Sequence, residues 1–413
     1  MEPGRTPRKR LVICCDGTWN RPDSAHVTNI EKIARTVATD LDRTDGVQQL
    51  VLYLSGVGAG SYTVDRLLGG AFGFGLFGNV RTAYRFLALN YEPGDQIFVF
   101  GFSRGAYTAR SLAGMVGRVG LLTRDALVAD KLPEAVARYQ RRGPADGSFG
   151  DSDQEFRRDH CHPSATVQLL GVFDTVGALG VPGAVRQQHQ FHDVNLGPVV
   201  LCARQALAAD ERRLKFEPCL WEADEATRAA DEASGRVQQV WFEGVHSDVG
   251  GGYAETGLCD TTLLWMVVEA NRRGLVFDTR LLATYVGSGS SAVRHDSLTV
   301  LYRVLNLVSR VQRAVTHHGR RFLGTWRRLD PPLQTPAQQR AVGVRVASSA
   351  ARHFLDDPSY GGPHLVEYAA ETHDFTGVVA DVVTLPEPAG ALDAWLHEHG
   401  LDLGAPPPVA PTT

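Results

Sequence analysis

Over the first two thirds of the chain, short apolar runs alternate with stretches whose apolar residues recur at helical spacing. The runs at 11–15 (LVICC), 49–53, 96–100 (QIFVF), 167–173 and 238–242 predict strands. Between them, 29–39 places Ile30, Ile33, Ala34 and Val37 on one helical face, 80–90 does so with Ala83, Phe86 and Leu87, and 106–119 reads as a further long helix. Together they predict the α/β class: a mostly parallel, hydrolase-like sheet with helices on both faces.

Polar, glycine-rich stretches at 141–155 and 183–197 read as loops, and the APPPVAPTT tail at 405–413 as disordered. After about residue 280 the strand–helix rhythm weakens. The predicted organisation is a catalytic domain at 10–280, a helical or mixed extension at 281–404 packed on the same domain, and the tail.

Composition narrows the class. Of 413 residues, 43% are hydrophobic and 21% charged, which excludes wholesale disorder. Lys and Arg total 42 against 46 Asp and Glu, a net charge of -4, which argues against nucleic acid as a partner. No run reaches the roughly 18 apolar residues of a membrane span. The basic N-terminus leads into a short strand-like run rather than a signal-peptide core, so a cytoplasmic location is expected. The 6 cysteines form no C-x-x-C pair and read as reduced thiols. Cys161, between His160 and His162, reads as part of a polar loop rather than a metal site, and no cofactor is expected.

The sharpest chemical feature is Gly101-Phe102-Ser103-Arg104-Gly105, a G-x-S-x-G pattern. An apolar strand precedes it, and a helix with small residues in its first turns follows. That is the setting of a nucleophile elbow, in which a strained strand-to-helix turn lifts a serine clear of the sheet. The Arg104 amide then lies where an oxyanion would form. A serine nucleophile needs a base, and the base needs an orienting acid, in the chain order Ser, Asp or Glu, His. Asp174 ends an apolar strand, and His246 follows another, just ahead of Gly250-Gly251-Gly252 on what reads as a loop. Asp248 competes as the acid, but its place before the glycines suits it to holding backbone amides, so Asp174 is preferred. The second oxyanion donor is sought after the first strand, at Asp16-Gly17-Thr18-Trp19-Asn20. The amides of Gly17 or Thr18 would serve there, while Asp16 would orient the loop or touch substrate.

Five segments together resemble a known family. They are Cys15-Asp16-Gly17-Thr18-Trp19-Asn20, the stretch from Gly70 to Leu87, the elbow through Arg110, the stretch 172–180 around Asp174, and 241–253 around His246. They resemble a bacterial and fungal α/β-hydrolase domain family, long uncharacterised, whose known members include phospholipase effectors of type VI secretion. The resemblance covers about residues 10–270. It implies a Ser103–Asp174–His246 hydrolase acting on carboxylic esters, phospholipids foremost. The stretch 346–365 resembles the family's C-terminal block only loosely. Ala347-Ser348 stands there in place of a His-x-Ser segment, so no role is carried over.

Two segments suit lipid contact. The stretch 67–80 (LLGGAFGFGLFGNV) has no charge and five glycines, which makes a stable helix improbable. It reads as an apolar flap offering Phe72, Phe74 and Phe77 to acyl chains, or as a buried connection. Residues 299–328 carry Arg303, Arg310, Arg313, Arg320, Arg321, Arg327 and Arg328 and no acid, on a helical apolar periodicity. They read as a core-covering helix, or as a helix lying on an anionic membrane surface. Two other classes stay open: a metal-dependent phosphoesterase using Asp16, Asp174, His246 and Asp248, and a non-enzymatic membrane- or partner-binding module. The sequence sets no oligomeric state.

Overall fold

A computed structural model describes residues 9–17, 26–56, 71–141, 150–176, 196–286, 293–299, 302, 303, 306, 327, 340–356, 379, 380, 382, 394 and 398. Among them a parallel sheet runs through the molecule. Its strands are β1 (Lys9–Cys15), β2 (Gln48–Leu54), β3 (Gln96–Phe102), β4 (Val167–Phe173), β5 (Ala203–Ala208), β7 (Val237–Phe242), β9 (Val344–Ala347) and β10 (Val379–Ala380), in the order β10-β9-β7-β5-β4-β3-β1-β2. Every neighbouring pair is parallel. Two short strands, β6 (Glu222–Ala223) and β8 (Arg340–Ala341), form a separate antiparallel ribbon.

The chain runs from β1 to β2, then returns to place β3 on the other side of β1. This reversal opens a crevice beyond the carboxyl ends of β1 and β3, the usual ligand site of such sheets. Both faces of the sheet are buried, because alternate residues feed two cores. Val12, Cys14, Phe98 and Phe100 pack with Ile30 and Ile33 of α1 (Asn29–Thr36) and with Leu263 and Val267 of the helix Gly257–Asn271. Leu11, Ile13, Ile97 and Val99 pack with Ala83, Tyr84 and Leu87 of α2 (Ala71–Asn90) and with Ala109 and Leu112 of α3 (Arg104–Val119).

Three elements differ from the sequence expectation. β5 (ARQALA), which the pattern of apolar runs does not include, is fully buried together with its Arg204 and Gln205. Arg204 is neutralised by Glu269 at 2.7 Å, and Gln205 donates to Gln239 at 2.9 Å, so the polar groups are satisfied inside. α2 begins at Ala71 rather than 80, despite Gly73, Gly75 and Gly78. Packing of an apolar face outweighs low propensity there. Phe77 stacks on Tyr139 at 6.3 Å, and Tyr84 donates to the Gly120 carbonyl at 2.7 Å. The loop expected across 141–155 gives way at 151 to the helix Asp151–His160, whose first turn carries Asp151 and Asp153 and whose last turn carries Arg157, Arg158 and His160, all complementing the helix dipole.

Other expectations lie outside the described residues: most of 183–197, most of 299–328 and the tail at 405–413. Among the described residues no helix is long and apolar enough to cross a membrane.

α1 is anchored by a buried charge pair. Lys32 Nζ lies 2.8 Å from Asp260 Oδ1, with both side chains nearly solvent-free. Removing one partner strands a charge in the core. Lys32→Met is therefore expected to lower unfolding stability by about 3–5 kcal/mol. Urea denaturation of parent and variant checks this.

Candidate active site

Ser103 sits at the junction of β3 and α3 with φ 56° and ψ -120°. A left-handed φ at a non-glycine residue costs about 1–3 kcal/mol and persists only where surroundings enforce it. Here the enforcement is visible. The Ser103 amide donates to the Phe173 carbonyl at 3.0 Å, tying the turn to the end of β4. A Cβ on Gly101 would lie 2.6 Å from the Ala106 Cα, and one on Gly105 would overlap the carbonyls of Cys15 and Asp16. The two glycines of the motif therefore let α3 start tightly and let the loop after β1 press against it. A Cβ on Gly250 would overlap the Phe102 ring, so the 246–250 segment also closes directly onto the elbow.

Asp174 follows β4, is fully buried, and itself has φ 38°. His246 opens a short helix, His246–Gly250, where a loop was expected. Asp248 starts this helix by accepting the Val245 amide at 2.9 Å. His246 Nδ1 lies 2.5 Å from Asp174 Oδ2. Its ring packs 4.6 Å from that of Phe102, the residue before Ser103, and 5.0 Å from that of Phe216. Asp248 is turned elsewhere: it accepts the His295 amide at 3.2 Å, and its Oδ1 lies 2.6 Å from His295 Nδ1. Of the two acids, Asp174 is the one that holds the imidazole.

Burial would raise the Asp174 pKa, but the Arg327 charge and the His246 hydrogen bond together hold it well below the usual carboxylate range. Burial also lowers the His246 pKa, and the bond to Asp174 only partly offsets this. The pair is thus an ionised carboxylate beside a neutral imidazole. With Nδ1–H directed at the carboxylate, Nε2 is the basic nitrogen.

Sequence reasoning missed three contributors. Arg327 reaches both Asp174 oxygens, Nη1 to Oδ1 at 2.5 Å and Nη2 to Oδ2 at 3.0 Å. It stands within a run of arginines that reads as solvent-facing, and nothing in its neighbours marks it out. Glu211 accepts the His246 amide at 3.3 Å and pairs with Arg213 at 2.8 Å. Phe216 supplies an aromatic wall to His246.

The loop after β1 is organised by Asp16. Its Oδ2 accepts from Thr28 and Tyr53, each at 2.7 Å, and its Oδ1 accepts the Gly17 amide at 2.6 Å. This corrects the expected oxyanion role of Gly17, because the amide is spent on its neighbour's carboxylate. Asp16 holds the loop. Thr18 lies outside the described residues. Arg104 opens α3, where amides have no intrahelical acceptor; burial lowers the pKa of its side chain to about 10.

Of the candidate lipid-contacting residues, Phe77 joins the apolar core and stacks on Tyr139. The side chains of Phe72 and Phe74 lie outside the described part. Asp174 and His246 meet, but among the described residues no group of three or more His, Cys, Asp or Glu side chains is placed to hold a metal ion. Asp16, Asp174 and Asp248 are each bonded to separate protein donors, and a cation at Asp174 would have to displace an arginine. Cys161 Sγ bonds the Val119 carbonyl, while His160 and His162 pack edge-on against Phe156 and Tyr91.

Comparison with known proteins adds a family. Residues 9–269 match the family described as "T6SS, Phospholipase effector Tle1-like, catalytic domain". The chain is 29% identical over 231 residues to the uncharacterized protein YEL023C of Saccharomyces cerevisiae, covering 51% of this chain and 32% of that one. A crystal structure of an uncharacterized protein from Pseudomonas aeruginosa resembles it at 17% identity and a TM-score of 0.39, over 95% of this chain and 62% of that one. The structure of the Tle1 effector bound to the VgrG spike of the Type 6 secretion system does so at 23% identity and a TM-score of 0.34, over 62% and 53%. The chain thus spans less than two thirds of each relative's own length.

Proposed function

Because this chain belongs, through residues 9–269, to the family of Tle1-like phospholipase effector catalytic domains, we propose that it cleaves carboxylic esters of phospholipids through an acyl-enzyme on Ser103. The observation that carries the reading is a strained Ser103 beside a buried His246–Asp174 couple whose imidazole packs on the ring of Phe102, the residue before the serine. All three stand at the carboxyl ends of β3, β4 and β7.

In this reading Ser103 Oγ attacks the acyl carbonyl while His246 Nε2 takes its proton. Asp174 orients the ring and stabilises the imidazolium. The Arg104 amide, at the positive end of α3, donates to the tetrahedral oxyanion. His246 then protonates the departing lysophospholipid alkoxide, and water attacks the acyl-enzyme with the same imidazole as base. The strain at Ser103 is part of the device: it projects the hydroxyl out of the sheet rather than into it.

Incubating the protein with phospholipid vesicles and resolving the products by mass spectrometry tests this. Free fatty acid and lysophospholipid in equal amounts are expected. Release of the phosphorylated headgroup or of diacylglycerol would show that a phosphate ester is cut instead.

The pH profile follows from the base. Only neutral His246 accepts the serine proton, and its pKa lies below the ordinary imidazole value of about 6.5. The acid limb of kcat/KM is therefore expected below pH 6.5, measured with a soluble p-nitrophenyl ester. A limb above pH 7 would contradict a buried imidazole base.

A further inference from the structure

We infer that Arg327 is a positioning residue of this active site, locking Asp174 in place with a two-point ion pair and moderating how strongly that carboxylate attracts the proton on His246. The inference rests on the triad reading above.

The contact is built, not incidental. The Arg327 and Asp174 side chains are 6% and 0% exposed. The planar guanidinium fork matches the two carboxylate oxygens, a geometry a lysine cannot reproduce. Arg327 also donates to the Ala208 carbonyl at 2.8 Å and to the Phe216 carbonyl. One side chain thereby ties together the end of β5, the acid after β4 and the segment whose Phe216 ring walls in His246. Asp174 Oδ1 receives Arg327 and the Ala208 amide at 3.0 Å, while Oδ2 receives His246 and Arg327. With both oxygens filled, the carboxylate cannot rotate away from the imidazole.

The charge consequence follows from Coulomb's law. A lone carboxylate at 2.5 Å would strongly favour imidazolium, but a guanidinium on the same carboxylate cancels part of that field. The other charges facing His246 are Arg213 and Glu211, which are paired with each other and largely offset. Arg327 acts on His246 through Asp174, the carboxylate whose charge and two oxygens it holds. It also comes from outside the stretch that matches the family, which ends at residue 269. Part of the site's geometry is supplied by the C-terminal third of the chain.

The test uses the full chain and a soluble p-nitrophenyl ester. It compares kcat, KM and the pH profile of parent, Arg327→Met, Arg327→Lys and Ser103→Ala. Arg327→Met is expected to lower kcat roughly tenfold or more with KM little changed, because the acid–base pair loses its register. Its acid limb is expected to move up by about one pH unit, because Asp174 then faces the imidazolium uncompensated. Arg327→Lys keeps the charge and loses the fork, so its limb should stay near the parent's while kcat falls. A Met variant with the parent's kcat and limb would overturn the inference, as would a Lys variant whose limb moves as far as the Met variant's. If circular dichroism shows Arg327→Met unfolded, Arg327→Lys decides: reduced kcat on an unmoved limb supports the inference, and parental kcat overturns it. Activity surviving in Ser103→Ala would sink the triad reading itself. A dead Ser103→Ala beside parental Arg327 variants would sink only the role of Arg327.

Discussion

Ser103→Ala is expected to lower phospholipid ester hydrolysis by about 10⁶-fold, close to what removing a whole triad costs in serine hydrolases. The size of the effect follows from the proposed role of Ser103 as the nucleophile that the surrounding site serves. The residue is held at φ 56° by two close-packed glycines and a bond to the Phe173 carbonyl. Burial lowers the pKa of His246, whose ring packs on Phe102, the residue before the serine. Without Oγ these features have nothing to activate, and only oxyanion stabilisation and binding remain. The fold should be unaffected, because alanine keeps the backbone contacts and removes only a hydroxyl. Turnover of vesicle phospholipid, with the melting temperature of both proteins, checks this. A loss of only a few-fold in a folded variant would mean that Ser103 is not the nucleophile.

Asp174→Asn is expected to cost about 10⁴-fold in kcat, through the wrong imidazole tautomer and a misdirected ring. In this protein it should also cost stability. Both carboxylate oxygens accept hydrogen bonds, Oδ1 from Arg327 and the Ala208 amide, Oδ2 from His246 and Arg327. An asparagine amide group would face a donor in either orientation, and the buried guanidinium would lose its counter-charge. Breaking such a pair costs about 3–5 kcal/mol. The same variant should therefore be both nearly inactive and clearly easier to unfold, as read by kcat and by the urea midpoint. A variant with parental stability would show that Arg327 and Asp174 are not paired as described. One with parental kcat would show that Asp174 does not orient the base.

Much of this arrangement is legible in the sequence, and the reasons are physical. β1, β3 and β4 are largely apolar on both faces, because both faces are buried, and β7 ends in the apolar run Val240-Trp241-Phe242, so they stand out as short apolar runs. The elbow is legible because close backbone approach demands glycine at 101 and 105. Asp174 and His246 are legible because each closes such a run. β5 is not, since its burial depends on partners far away in the chain: Arg204 needs Glu269 and Gln205 needs Gln239. The start of α2 is masked by glycines, which argue against a helix on propensity alone. The Gly17 amide reads as a free donor until the carboxylate of Asp16 is seen to take it. Arg327 is the clearest case. Its immediate neighbours in the chain give no sign of its partner, which lies 153 residues earlier. Local pattern cannot show a contact of that kind.

The membrane-surface reading of 299–328 changes in the same light. At least one of its arginines, Arg327, is a buried structural ion rather than a contact for anionic lipid. Arg303 Nε donates to the Leu298 carbonyl at 3.3 Å.

The most direct measurement is covalent trapping. Treating the full chain with a fluorophosphonate and mapping the adduct by peptide mass spectrometry should place it on the peptide carrying Ser103, with no labelling in Ser103→Ala. Labelling that persists undiminished in Ser103→Ala, or an adduct mapped to another residue of an active protein, would contradict the assignment of Ser103 as the nucleophile.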